Sequence, residues 1–236
     1  MFESLQLLWI GENGRGLSLL AGLLSTIQIA LGAYALGLTI GLFGALGKLH
    51  GGIVMRWLLE IYTTLIRAVP ELVLILLLYY AGTAALNNVL EGLGFEPVNI
   101  SGVMAGVLVL GIVMGAYSTE VIRAAMLAVP KGQVEAAMAY GMSSTQALFR
   151  ITIPAMIPFA IPGLANLWLI VTKDTALLAV VGFFELATVT KAAAGSTREY
   201  LLFYMAAFVI YLCLSLVSTV IFRKIEARYR RGQAVA

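Results

Sequence analysis

One cysteine, Cys213, and one histidine, His50, stand far apart in a chain of 236 residues. A disulfide framework needs paired cysteines. A zinc centre needs three or four close nitrogen, sulfur or carboxylate ligands. Neither architecture is open to this sequence. A Ser/His/Asp hydrolase of the α/β type carries its nucleophile in G-x-S-x-G, and the phosphate-cradling loop of a P-loop ATPase reads G-x-x-x-x-G-K-[ST]. Neither pattern occurs. Charge is scarce as well. Only 11% of residues are Asp, Glu, Lys or Arg, against about 25% in an ordinary soluble domain. No enzymatic activity, bound metal or nucleic-acid partner is expected of the chain itself.

Apolar sequence is abundant, at 61%. A helix needs about 20 mostly apolar residues to cross the hydrocarbon core. Charge-free runs of that length extend from Gly16 to Gly47, Leu72 to Leu90, Pro97 to Thr119, Ile151 to Thr172 and Tyr200 to Phe222. They predict a polytopic all-α membrane protein with five spans, forming a single domain over residues 1–236. Thr175 to Phe184 is apolar but too short to span, and reads as a re-entrant or interfacial segment. The first run is preceded by Glu3 and Glu12 rather than by a basic region, so it reads as a retained helix and not as a cleaved signal. Phe2 and Trp9 are candidate anchors for residues 1–15 at the outer interface.

Lys and Arg accumulate in loops on the cytoplasmic side. One alternate set of loops carries Lys48, Arg56, Arg123, Lys131, Arg150, Arg223, Lys224, Arg228, Arg230 and Arg231. The other carries Arg15, Lys173, Lys191 and Arg198. The imbalance predicts an outer N-terminus and a cytoplasmic C-terminus, in line with an odd number of spans. In the first span, Gly37 and Gly41 have the spacing that lets two helix backbones approach closely.

Charges inside spans are costly and point to function. The second span, read as EIYTTLIRAVPELVLILLLYY, carries Glu60, Arg67 and Glu71, with Pro70 in its middle. Glu60 and Arg67 can snorkel or pair near the inner interface. Glu71 is deeper, and Pro70 frees the carbonyl of Ile66 and predicts a kink there. Lys173 and Asp174 form a second polar knot, after a run containing Pro158, Pro162 and Gly163. The expectation is a broken helix lining a cavity, with Lys173 and Asp174 free to neutralise one another. Glu185 has no basic residue within five positions. It is either a solvated loop carboxylate or a ligand contact.

The stretch from Val129 to Pro154 is a compact polar hairpin between apolar blocks. Pro130 ends the preceding helix, and Gln133 to Tyr140 reads as a short helix with Glu135 near its positive end. Ala136, Ala137 and Ala139 give it a small-residue side, and Gly141 suits a C′ position. Ser143 and Gln146 have capping-box spacing for the next helix. Eight residues with few large apolar groups bind lipid poorly, so the hairpin reads as a docking element.

The hairpin carries a specific resemblance. Glu135-Ala136-Ala137, then Gly141, then Ile151-Thr152-Ile153-Pro154 resembles the permease motif of bacterial ATP-binding-cassette importers, with Ile153 where leucine is usual. The segments AYSTEVIRAAMLAVPKGQ, KDTALLAVVGFFEL and TTLIRAVPELVL are similar to the polar amino-acid subfamily, of the histidine and lysine/arginine/ornithine type. The resemblance covers roughly Leu17 to Tyr229. It implies a type I importer permease fold in the bacterial inner membrane, with residues 129–154 as a cytoplasmic coupling loop. Gln133, Glu135, Ala136, Ala137, Tyr140 and Gly141 would contact a separate ATPase dimer, which would bind the ATP and magnesium. The other implied partners are a sister permease, identical or not, and a periplasmic binding protein that delivers the substrate.

A cationic substrate crossing a low-dielectric path needs anions. Glu71 and Glu185 are the leading candidates, and Arg67, Glu120, Lys173 and Asp174 complete the expected pathway. The competing class is an ion-coupled secondary transporter titrating Glu71, Glu120 or Glu185. Its usual mark, matching internal halves, is not visible in five spans.

Overall fold

A computed structural model describes residues 6–11, 14–98 and 100–230, with the Arg230 side chain excepted. The expectations resting on Phe2, Glu3, Glu12 and Arg231 lie outside the described residues. Among those described, every regular element is helical. The order is α1 (Gly16–His50), α2 (Ile53–Ala68), α3 (Glu71–Gly92), α4 (Gly102–Leu127), α5 (Lys131–Ala139) and α6 (Ser144–Ala147). A π-helical turn, Leu148–Thr152, then leads into α7 (Ile153–Asp174), and a 3-10 segment, Thr175–Val180, leads towards α8 (Leu186–Thr197) and α9 (Tyr200–Arg230). Five segments are long and apolar enough to cross a membrane: α1, α3, α4, the run 144–180 through α7, and α9. That is the number expected.

Helix α4 is the axis of the bundle. Within its most apolar window 61% of residues are buried, against 11% in α3 and α9. The latter two therefore present apolar flanks that only lipid or another chain can cover. In hydrocarbon surroundings helices gain by close packing rather than by water exclusion, and α1 meets α4 along a glycine seam. A Cβ placed on Gly37 would lie 2.7 Å from the Cβ of Met114, and one on Gly41 would collide with that of Ser118. The two glycines therefore do what their spacing suggests. Around the seam, Ile29 and Ala33 of α1, Leu110 and Met114 of α4 and Val171 of α7 form the central core.

Two expectations about helix continuity are corrected. Pro70 does more than kink a span. Val69 is extended (φ −99°, ψ 139°) and Pro70 follows in the same manner (φ −56°, ψ 134°), so α2 stops and α3 starts afresh at Glu71. The ring of a proline clashes with a helical residue before it, which pushes Val69 out of the α region. Conversely, Pro158 and Pro162 lie inside an unbroken α7. The helix carries both prolines through, Pro158 half-buried and Pro162 exposed, and the chain changes character only at Thr175, where the winding tightens to 3-10.

Candidate functional site

The restart at Glu71 creates a polar notch. Glu71 occupies the first turn of α3, where the helix dipole favours a carboxylate. The Tyr117 hydroxyl of α4 donates to Glu71 Oε1 at 3.5 Å, a long bond. Asp174, at the end of α7, lies within electrostatic and hydrogen-bonding reach of Glu71, and Arg67 within electrostatic reach of Tyr117. The Arg67 Nε donates to the Thr63 carbonyl of its own helix at 3.2 Å. Lys173 is exposed, and it forms no ion pair with Asp174. Among the described residues, Asp174 Oδ2 and Ser118 Oγ are the two buried side-chain atoms with no hydrogen-bond partner. Two neighbouring carboxylates, one with an unpartnered oxygen, outnumber the single guanidinium of Arg67 that the structure gathers with them. An unpartnered carboxylate oxygen can accept from any donor, a cationic one included.

Glu185 has a different job from either expected one. Its side chain is fully buried, with 0% exposure. It caps α8, accepting from Ala187 N at 2.8 Å and from Thr188 N. The Thr188 and Tyr211 hydroxyls donate to it as well, at 2.9 and 3.2 Å. Both oxygens are occupied, and no surface remains for a solute. Glu120 is likewise engaged. Lys48 Nζ donates to its Oε1 at 2.6 Å, and Arg123 Nη2 to its Oε2 at 2.8 Å. Lys48 also reaches Glu60 Oε2 and Thr63 Oγ1, each at 2.6 Å. Lys48 counts as a loop cation in the sequence; the structure buries it in the last turn of α1. The structure thus gathers Glu71, Asp174 and Arg67, leaves Lys173 at the rim, and takes Glu120 and Glu185 out of the group. Tyr117 is the member that charge-based reading misses, because a phenol in an apolar helix carries no signal of its own.

The polar hairpin is built largely as its sequence suggests. Helix α5 ends in a Schellman motif: Gly141 N donates to Met138 O at 2.9 Å and Met142 N to Ala137 O at 3.1 Å. This geometry requires a left-handed residue at C′, and Gly141 supplies it with φ +86°. Ser143 and Gln146 form the reciprocal capping box of α6, with bonds of 3.0 and 3.3 Å. Two details differ. The helix begins at Lys131, so Glu135 lies beyond its first turn and gains little from the dipole. Ala137 is buried, turned into the hairpin, while Gln133, Glu135, Ala136, Tyr140 and Gly141 are exposed. Tyr140 is the most prominent, at 89% exposure.

A five-span helical bundle with an acidic notch at a helix break, and a self-capped polar hairpin at one end, has the form of a membrane transport component. The chain belongs to the family described as binding-protein-dependent transport system inner membrane component, which it matches over residues 37–231. It is accordingly a multi-pass inner-membrane protein. It is 41% identical over 214 residues to the histidine/lysine/arginine/ornithine transport system permease protein HisQ of Escherichia coli (strain K12), covering 91% of this chain and 94% of the relative. It is 42% identical over 234 residues to the nopaline transport system permease protein NocQ of Agrobacterium fabrum, covering 97% and 98%. Among solved structures it superposes on a chain from the crystal structure of an amino acid ABC transporter with histidines. That match has a TM-score of 0.76 at 31% identity and covers 89% of this chain and 94% of the other. The type I permease fold and the importer resemblance both stand.

Proposed function

We propose that this chain is the permease subunit of an ATP-driven importer of basic amino acids, and that Glu71 and Asp174 receive the substrate's cationic side chain. One observation carries the reading: the buried, unpartnered Asp174 Oδ2 beside a second carboxylate. Two carboxylates beside the single guanidinium of Arg67 leave one negative charge in excess, which is costly in low dielectric, and a guanidinium, ammonium or imidazolium group relieves that cost while it is bound. The similarity to a histidine/lysine/arginine/ornithine permease supports the same substrate class.

In this reading the chain hydrolyses no ATP. A separate cytoplasmic ATPase dimer binds ATP and magnesium, and the exposed residues Gln133, Glu135, Ala136, Tyr140 and Gly141 are its contact. Ala137 supports that surface from within. The basic bias of the loops sets the hairpin and C-terminus in the cytoplasm and the N-terminus outside. A periplasmic binding protein delivers the substrate, and a second permease, a copy or a sister chain, covers the apolar flank of α3. Of the carboxylates that an ion-coupled secondary transporter could titrate, Glu120 and Glu185 are already fully bonded.

The test is uptake by the assembled transporter in proteoliposomes, with its cognate binding protein, across arginine, lysine, ornithine and histidine. ATP-dependent uptake of at least one, with glutamine and glutamate excluded, is the expected result. Uptake that persists without nucleotide overturns the reading.

A further inference from the structure

Lys48 holds a position that the transport site itself does not explain. Its ammonium has three donors, and all three are used, on Glu60, Thr63 and Glu120. With Arg123 on the far oxygen of Glu120, two positive and two negative charges form a closed set at the junction of α1, α2 and α4. Helix α2 is otherwise held by few ties: an exposed bond from Arg56 Nη2 to the Leu49 carbonyl of α1 at 3.2 Å, and the packing of Ile66 and Tyr62 on the central core. Of its 16 residues only Thr63 and Ile66 are buried, and Thr63 is itself a Lys48 partner. One further tie, from the Tyr62 hydroxyl to the Ile112 carbonyl, reaches α4.

The cluster lies between two functional regions. Along α4, Glu120 is ten residues from Pro130, where the hairpin begins, or about 15 Å of helix. Along α2, Thr63 is eight residues from Glu71, across the Val69–Pro70 break. Apolar side chains slide over one another at small cost. A buried ammonium fixed by three short bonds does not, because displacement strands a charge.

We propose that Lys48 is a positioning residue that makes α2 move with α4, so that displacement of the hairpin reaches Arg67 and Glu71 instead of being lost in a loose helix. The proposal rests on the importer reading above for its functional consequence, though not for the mechanical tie itself.

The test uses the complete transporter, with ATPase subunits and binding protein. In Lys48→Met, ATP turnover is expected to stay within about twofold of the parent while amino acid carried per ATP falls at least tenfold. Lys48→Arg restores most of the ratio. Glu60→Gln lowers it about threefold, and folding is not at issue there because that side chain is 66% exposed. Nitroxide labels at Leu58→Cys and Ala124→Cys in a Cys213→Ser background read the tie directly. The α2–α4 distance distribution is expected to be narrow in the parent and broad in Lys48→Met. This arm is read without any transport, so failure of the importer reading leaves it interpretable. An unchanged distance distribution overturns the proposal, as does a parallel loss of turnover and uptake at constant stoichiometry.

Discussion

Two glutamates open helices at breaks in this bundle, and their surroundings are opposite. Glu185 caps α8 with no exposed surface, and each of its oxygens is held by backbone amides or hydroxyls. Glu71 opens α3 after Pro70, half-buried, with one long bond from Tyr117 and a second carboxylate nearby. The first is a carboxylate whose charge the fold has already neutralised by dipoles. The second is one whose charge the fold leaves available. An acidic residue in an apolar chain is thus no guide to a pathway until the donors around it are known.

Breaking the satisfied member should have the largest effect. Glu185→Ala strands two amide donors and leaves a void, at a cost of about 3 kcal/mol. The expected outcome is a large fall in thermal stability in detergent, with uptake and ATP turnover lost together. Breaking the available member should act differently. Glu71→Gln is expected to lower uptake of arginine at least tenfold, with the melting temperature and assembly unchanged. Equal loss of all three makes Glu71 a structural residue. Asp174→Asn sharpens the same contrast. It should raise thermal stability by relieving like charge, and a double-mutant cycle with Glu71→Gln should show coupling of about 1 kcal/mol in stability. The smallest expected change is Tyr211→Phe, which removes one of the donors to Glu185 and should cost about 1 kcal/mol. Uptake per ATP should stay at the parental value.

The same contrast explains what could be read without coordinates. The five spans, the glycine seam and the hairpin caps are local or periodic features, and each lies within one short stretch of chain. Gly141 and the Ser143–Gln146 pair announce their geometry because few residue types can adopt it. Glu185 is misread for a physical reason. The absence of a nearby cation looks like availability, while its compensation comes from backbone amides and from Tyr211, 26 positions away. Lys48 is misread likewise, since its partner Glu120 is 72 positions distant. Proline effects depend on neighbours: Pro70 ends a helix with two buried residues, while Pro158 and Pro162 lie within one that has seven.

The hairpin closes both of its helix ends with its own residues, by the Schellman motif at Gly141 and the capping box at Ser143. Its shape is therefore paid for during folding rather than during association. A docking segment that is already ordered gives up little conformational entropy when it meets its partner. If the hairpin is the ATPase contact proposed above, assembly would be fast and reversible, with exposed side chains such as Tyr140 available to set affinity. Loosening the caps would slow assembly before it altered any contact in the finished interface.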